Sequence, residues 1–287
     1  MKFWQQFAMV NMHELPALAR KADECGFEGA LFSDHLVTFS HQYDRYIGSN
    51  DEEIIWYPDT HWPDPFIEIG ALAQITQRLK FITSVYVMPM RDPFSVAKAI
   101  STAAILSDYR LRVGVGIGWQ RAEFNIVERP FEKRGPRTDE MLEVVRKLLS
   151  GKEVEHHGEF YDFDALSMAP GVTGHIPVFI GGLSEAAFAR AARNDGWLGY
   201  QHTIEEVERI VPALRRARQA SGRDPDEPFE ITLSLKNPAP QDYDRARELG
   251  VTGVYKDAWL DPEGRASVLP LEEKLADLEW FSDRFIR

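Results

Sequence analysis

With 287 residues, 44% hydrophobic and 27% charged, the chain can hold one large core or two small ones, and its composition is that of an ordinary soluble globular protein. A net charge of −12 and the absence of any basic run longer than two residues exclude a nucleic-acid role, which needs a clustered positive surface. Neither a membrane span nor a secretory leader can be read. The single cysteine, Cys25, cannot form an internal disulfide and reads as a small buried apolar residue, so a cytoplasmic location is expected.

In chain order, KFWQQFAMV (2–10) reads as a strand and HELPALARKADECG (13–26) as an amphipathic helix closed by a glycine. GALFS (29–33) is a short strand. The stretch from Leu36 to Pro63 is rich in Tyr, Trp and His, and a loop of that length reads as a lid or pocket wall. PFIEIGALAQITQ is a helix, LKFITSVYVM a strand, PFSVAKAISTAAILS a helix opened by proline, and RLRVGVGIG (110–118) the fourth strand. RTDEMLEVVRKLLSG follows as a helix, and EVEHHGEFYDFDAL reads as an inserted hairpin. The strands PVFIGG, WLGYQ, FEITLSLK and VTGVYK then alternate with helices to the end of the chain. Eight strands, each followed by a helix, predict a parallel α/β sheet closed as a (β/α)8 TIM barrel. It forms one domain over 1–287, with an inserted hairpin and a long loop after strand 2.

In such barrels the active site lies at the C-terminal strand ends. Strand 2 ends in Ser33, Asp34 and His35, and a histidine beside an acid at that place suits general acid–base chemistry. Strand 4 runs into RVGVGIGWQRAEF, whose G-x-G-x-G spacing fails the dinucleotide fingerprint. Gly114, Gly116 and Gly118 share one strand face. They either leave room for a flat ring at the mouth or mark a bend that aids closure. Gly181 and Gly182 precede a helix capped by Ser184, which is either an anion site or a plain turn. Strand 1 lacks the H-x-H pair of metal-dependent hydrolases. The adjacent His156 and His157 fall in the hairpin and read as surface residues, so no metal is expected.

Four stretches, ADECGFEGALFSDH, LAQITQRLKFITSVYVMPMRDPFSVAKAISTAAILS, RVGVGIGWQRAEFNIVERPFEKRGPRTDEMLEVVRKLL and PVFIGGLSEAAFARAARNDGWLGY, together resemble the luciferase-like monooxygenase superfamily. SDH, RDP and RG-x-R-x-DE point within it to the branch that uses coenzyme F-420, a deazaflavin. The resemblance implies a flavin-type ring at the barrel mouth. Asp34 falls where that branch contacts the ring, and His35 where related dehydrogenases act on the substrate. Ser84–Val85 matches a bulge with a non-proline cis peptide that backs the ring. Ile117 and Gly118 match ring or side-chain contacts, and Gly181, Gly182, Leu183 and Ser184 match the phosphate turn. Two positions depart from the superfamily's sugar-phosphate dehydrogenases. Trp119 stands where they keep an acid and Phe39 where they keep a tryptophan, so a different, less polar substrate is expected, with both residues in its pocket.

The implied reaction is F-420-dependent hydride transfer to or from a small organic molecule. His35 would move the proton, and Asp34 would orient His35 or bind the ring. FMN is the alternative cofactor, with a two-component monooxygenase using O2 as its chemistry; a non-catalytic flavin-binding barrel is a further alternative. The resemblance also implies a homodimer and a separate flavin or F-420 reductase as electron source.

Overall fold

The structure, a computed structural model, describes residues 1–46, 52–224, 226–260, 265–266 and 269–287. Strands β1 (Lys2–Gln6), β2 (Gly29–Phe32) and β3 (Lys80–Thr83) are separated by helices α1 (Leu15–Cys25) and α2 (Pro65–Ala73). The two-residue β4 (Tyr86–Val87) and α3 (Pro93–Leu106) lead to β5 (Leu111–Gly116), followed by α4 (Arg121–Ile126) and α5 (Arg134–Leu149). The antiparallel hairpin β6 (Glu153–His157) and β7 (Asp162–Ser167) comes next. The chain ends with β8 (Val178–Gly181), α6 (Glu185–Ala192), β9 (Gly196–His202), α7 (Ile204–Ala220), β10 (Glu230–Leu235), α8 (Pro240–Leu249), β11 (Gly253–Lys256) and α9 (Leu271–Phe285).

Sequence chemistry places the helix boundaries. Asp64 accepts from the Phe66 and Ile67 amides at the start of α2, and Asp92 accepts from Ser95 N at the start of α3. Each supplies an acceptor that the first helical turn lacks. Thr203 and Glu206 form a capping box on α7.

Eight strands close the barrel. β1, β2, β3, β5, β8, β9, β10 and β11 pair in parallel in that order, and β11 returns to β1 with Lys2 opposite Gly253. Because side chains alternate along a strand, Trp4, Leu31, Ile82, Phe179, Leu198 and Tyr255 meet inside as one buried cluster. Phe3, Ala30, Phe81, Val113, Ile180 and Trp197, at the alternate positions, belong to the larger core between sheet and helices. Cys25 is buried in that outer core. At the N-terminal end, Glu230 takes Arg112 at 2.8 Å on one oxygen and Lys2 at 2.9 Å on the other. Burial would raise that carboxyl, but the two cations outweigh it and hold the pKa below the usual range.

The barrel and the hairpin are as the sequence predicts, but several boundaries differ. The first strand stops at Gln6 rather than Val10, because the chain turns at Met9 with φ 60°. The third is broken into β3 and β4 at Ser84–Val85, a non-proline cis peptide. The fourth ends at Gly116, and Gly118 lies beyond it at φ 80°. Helix α4 has no counterpart in the sequence reading. His156, read as a surface residue, is buried, with Nε2 3.2 Å from Glu140 and Nδ1 3.1 Å from Lys147. His157 is exposed beside Asp162. Among the described residues no group of three or more His, Cys, Asp or Glu could hold a metal ion, and no helix is long and apolar enough to cross a membrane.

Candidate active site

A cavity of about 330 Å³ opens at the C-terminal strand ends. One wall is made of backbone and small side chains: Ser84, Val85, Gly116, Gly118, Gly181 and Gly182. The break after β3 builds this wall. Ser84 N donates to Phe32 O at 2.6 Å, and the Ser33 hydroxyl donates to Ser84 O at 3.1 Å.

The glycine run serves this bulge first. A methyl on Gly116 would sit 2.3 Å from Val85 Cγ2, and one on Gly181 would sit 2.9 Å from Val85 Cγ1. Gly114 is deeper, where a methyl would lie 1.9 Å from Thr83 O. The room that the sequence reading gave to a ring is therefore filled by Thr83 and by Val85. Within the glycine run itself, Gly116, Ile117 and Gly118 reach the cavity.

Asp34 also supports the bulge. Its Oδ2 accepts from Val87 N at 2.8 Å, and Arg91 makes a two-pronged contact at 2.7 Å to each oxygen. Burial works to raise the Asp34 pKa, and Arg91 and the Val87 amide oppose it. Asp34 lines the cavity, but it makes no hydrogen bond to His35.

The partner of His35 is Glu123, which the sequence reading missed. Its carboxylate lies 3.3 and 3.4 Å from His35 Nδ1 and accepts from Leu36 N at 2.8 Å. Glu123 is 2% exposed and sits in the first turn of α4. A buried carboxylate at Nδ1 holds the proton there and leaves Nε2 as the acceptor. No described group hydrogen-bonds Nε2. The imidazole is fixed from the side by Trp56 and Trp62, with ring centroids 4.6 and 5.0 Å away, and Trp119 stands at 6.1 Å.

The loop after β2 supplies the second wall. Ile55, Trp56 and Ala266 form a buried cluster, and Tyr46, Trp62, Trp119 and Leu260 pack against it. Ala266 N donates to Ile55 O at 2.8 Å, which joins this loop to the one after β11. Residues 47–51 of the predicted lid lie outside the described residues. Phe39, expected in the substrate pocket, does not line it. Past His35 the chain turns outward, and Phe39 packs on the exposed Tyr43. Trp56 and Trp62 occupy the pocket instead, while Trp119 lines it as expected.

At the far end, Gly181, Gly182 and Leu183 line the cavity, and Ser184 caps α6 by accepting from Ala187 N at 3.1 Å. Gly182 takes φ 113°, and its carbonyl accepts from Trp197 Nε1 at 2.8 Å. Arg134 donates to Gly118 O at 3.0 Å, and Arg190 ties α6 to the start of α5 through Gly135 O at 3.1 Å. The helix N-terminus at this end of the cavity suits a phosphate.

Asp257, at the end of β11, is a further site-side acid that the sequence reading missed. Gln201 donates to Oδ2 at 3.2 Å, while Oδ1 is buried without a partner. Burial pushes its pKa up to about 6. A carboxyl raised in the folded state costs stability as pH rises from its unfolded value to its folded one. Asp257→Asn should therefore stabilise the protein by roughly 1–3 kcal/mol near about pH 7.5 and by little near about pH 4. Denaturant melts at the two pH values check this; an equal effect at both would contradict it.

A closed parallel barrel with a histidine–carboxylate pair at its mouth and a bulged backbone wall beside it defines the class. The luciferase-like monooxygenase family model matches residues 5–249, and the chain belongs to that family. An uncharacterized protein of Mycobacterium tuberculosis is 31% identical over 100% of this chain and 99% of its own length. An F-420-dependent glucose-6-phosphate dehydrogenase of Mycolicibacterium gilvum is 30% identical, covering 94% of this chain and 80% of its own. Among solved structures, an F-420-dependent secondary alcohol dehydrogenase in complex with an F-420-acetone adduct aligns with a TM-score of 0.76. The identity is 14%, and 98% of this chain and 97% of that one are covered. That last likeness concerns the fold.

Proposed function

We propose that this protein is an oxidoreductase that uses coenzyme F-420 to transfer a hydride to or from a small organic substrate. The observation that carries the reading is His35, held at Nδ1 by buried Glu123 and free at Nε2 beside the bulged wall. The residues present fit a flavin-type group. Val85 is seated between two glycines and backs the cavity, and the start of α6 suits the phosphate. Bound there, a deazaflavin would supply the carbon that takes or gives the hydride. The chain would supply the rest. His35 Nε2 would accept the substrate proton or return it, Glu123 would offset the positive charge that this creates on the ring, and the aromatic loop would exclude water. The F-420-dependent relative supports the deazaflavin over FMN. The resemblance of the sequence to its superfamily supports a homodimer served by a separate reductase.

Fluorescence titration tests the cofactor. F-420 should bind at least about tenfold more tightly than FMN, equivalent to about 1.4 kcal/mol. Tighter FMN binding would favour an O2-using monooxygenase, and binding of neither would remove both readings. Cofactor binding without turnover of any substrate would favour the non-catalytic barrel.

A further inference from the structure

The far end of the cavity has a place for an anion but no resident cation. Gly181, Gly182 and Leu183 line it at the start of α6, yet no lysine or arginine lines the cavity among the described residues. A phosphate that sheds its water there needs a counter-charge. The lining groups able to become cationic are two imidazoles, His35 and His202. His35 stands at the other end, against Trp56 and Trp62. His202 belongs to this one. Its ring stacks on Trp197, 5.7 Å between centroids at 28°, and Trp197 Nε1 donates to Gly182 O at 2.8 Å. A single indole therefore joins the imidazole to the glycine turn.

His202 is 5% exposed. Its Nδ1 lies 3.4 Å from Glu206 Oε2, and the same oxygen accepts from Thr203 N at 3.0 Å in the capping box of α7. A carboxylate at Nδ1 keeps the proton there and leaves Nε2 with a lone pair. Among the described residues nothing hydrogen-bonds Nε2. Burial holds the His202 pKa below the usual histidine value, and Glu206, the one charged group acting on it, opposes that. Tyr200 and Tyr255 line the same cavity, but burial pushes both phenols up, so they stay uncharged. Glu185, in the first turn of α6, is exposed to solvent. A neutral His202 would turn its lone pair on an arriving phosphate and repel it. With a second proton the ring donates a charge-assisted hydrogen bond instead.

Resting on the deazaflavin reading, we propose that His202 is the counter-ion of the cofactor's phosphate, and that docking of the phosphate at the start of α6 draws one proton from solvent onto Nε2, which then donates to a phosphate oxygen. Glu206 steadies the ring from Nδ1 and offsets its charge. The ring holds its second proton more tightly with the phosphate than without it. The affinity gained is therefore complete below the pKa of the free ring and is lost as pH rises through the pKa of the phosphate-bound ring.

The test compares F-420 with its phosphate-free core, the deazaflavin bearing only a ribityl chain, in fluorescence titrations at about pH 6 and about pH 8, which bracket an imidazole. The ratio of the two affinities cancels any titration of the deazaflavin ring. It should favour F-420 about five- to tenfold more strongly at the lower pH, the scale of one charge gained at hydrogen-bond distance. His202→Gln, which keeps a donor but cannot titrate, should make the ratio independent of pH. Glu206→Gln keeps the helix cap but removes the charge, and should move the fall to lower pH. Sulfate, whose charge is fixed over this range, should compete with F-420. At saturation on the cofactor-free protein it should also raise the titration midpoint of one histidine in proton NMR, the resonance that His202→Gln removes. A constant ratio in the native protein, a fall that survives His202→Gln, or no histidine responding to sulfate would each overturn the proposal. So would sulfate and F-420 bound together, which would assign the anion to the substrate. Protein that binds neither F-420 nor the core would instead remove the deazaflavin reading, and the sulfate titration would still judge His202.

Discussion

Glu123→Gln should lower turnover by about ten- to a hundredfold, the scale of one hydrogen bond to a charged group, while leaving cofactor affinity intact. The reason lies in the tautomer. Glutamine keeps an oxygen for Leu36 N but turns an N–H₂ toward His35 Nδ1, where a carboxylate oxygen now stands at 3.3 Å. Nδ1 must then become the acceptor, the proton moves to Nε2, and the ring can no longer take a proton from the substrate. His35→Ala removes the base itself and should cost about 10²- to 10⁴-fold. The double variant should be no worse than His35→Ala alone, since Glu123 acts through His35. Steady-state kinetics beside an F-420 titration separate the effects. A Glu123→Gln enzyme with full turnover would remove the pair from the mechanism.

The second large effect is steric. Gly116→Ala places a methyl 2.3 Å from Val85 Cγ2, and on its other side Val85 packs against Gly181, where an added methyl would lie only 2.9 Å from Cγ1. The Val85 side chain must move, and the bulge that backs the cavity moves with it. Overpacking of this kind costs about 1–3 kcal/mol. We expect a loss of that size in denaturant melts, together with weaker F-420 binding. Val85→Ala should partly rescue Gly116→Ala, because the two substitutions share one contact and their effects are not additive. Strictly additive melts would show that the glycine serves some other purpose.

Both predictions concern residues that the sequence marked unequally. The barrel could be read because its evidence is local and repeated: eight apolar strands, each followed by an amphipathic helix, most of them with a side-chain cap or a glycine stop. His35 drew attention because a histidine beside an acid at a barrel strand end suits acid–base chemistry, and it does line the cavity. Glu123 could not. It lies four residues past Trp119 in a six-residue helix, too short to show a period, and its partner is far away in sequence. Its signal was an acid immediately before an apolar Phe124, a residue the fold buries completely. Asp34 and Asp257 show the converse. Position put Asp34 beside His35, yet tertiary contact gave it to Arg91, while Asp257 looked like any loop acid until the fold buried its Oδ1. Phe39 failed because sequence distance from His35 does not reveal where a loop turns.

The two walls of the cavity have different origins in the chain. The bulge and the glycines that receive it belong to the barrel strands and cannot change without disturbing closure. The aromatic wall hangs largely from the loop after β2, which the loop after β11 braces from behind where Ala266 meets Ile55. Such a division lets a lineage alter what enters the barrel while keeping what is stored there. Exchange of the two loops as a matched pair would therefore transplant substrate preference into a related barrel, whereas exchange of either one alone would leave a seam open at the mouth.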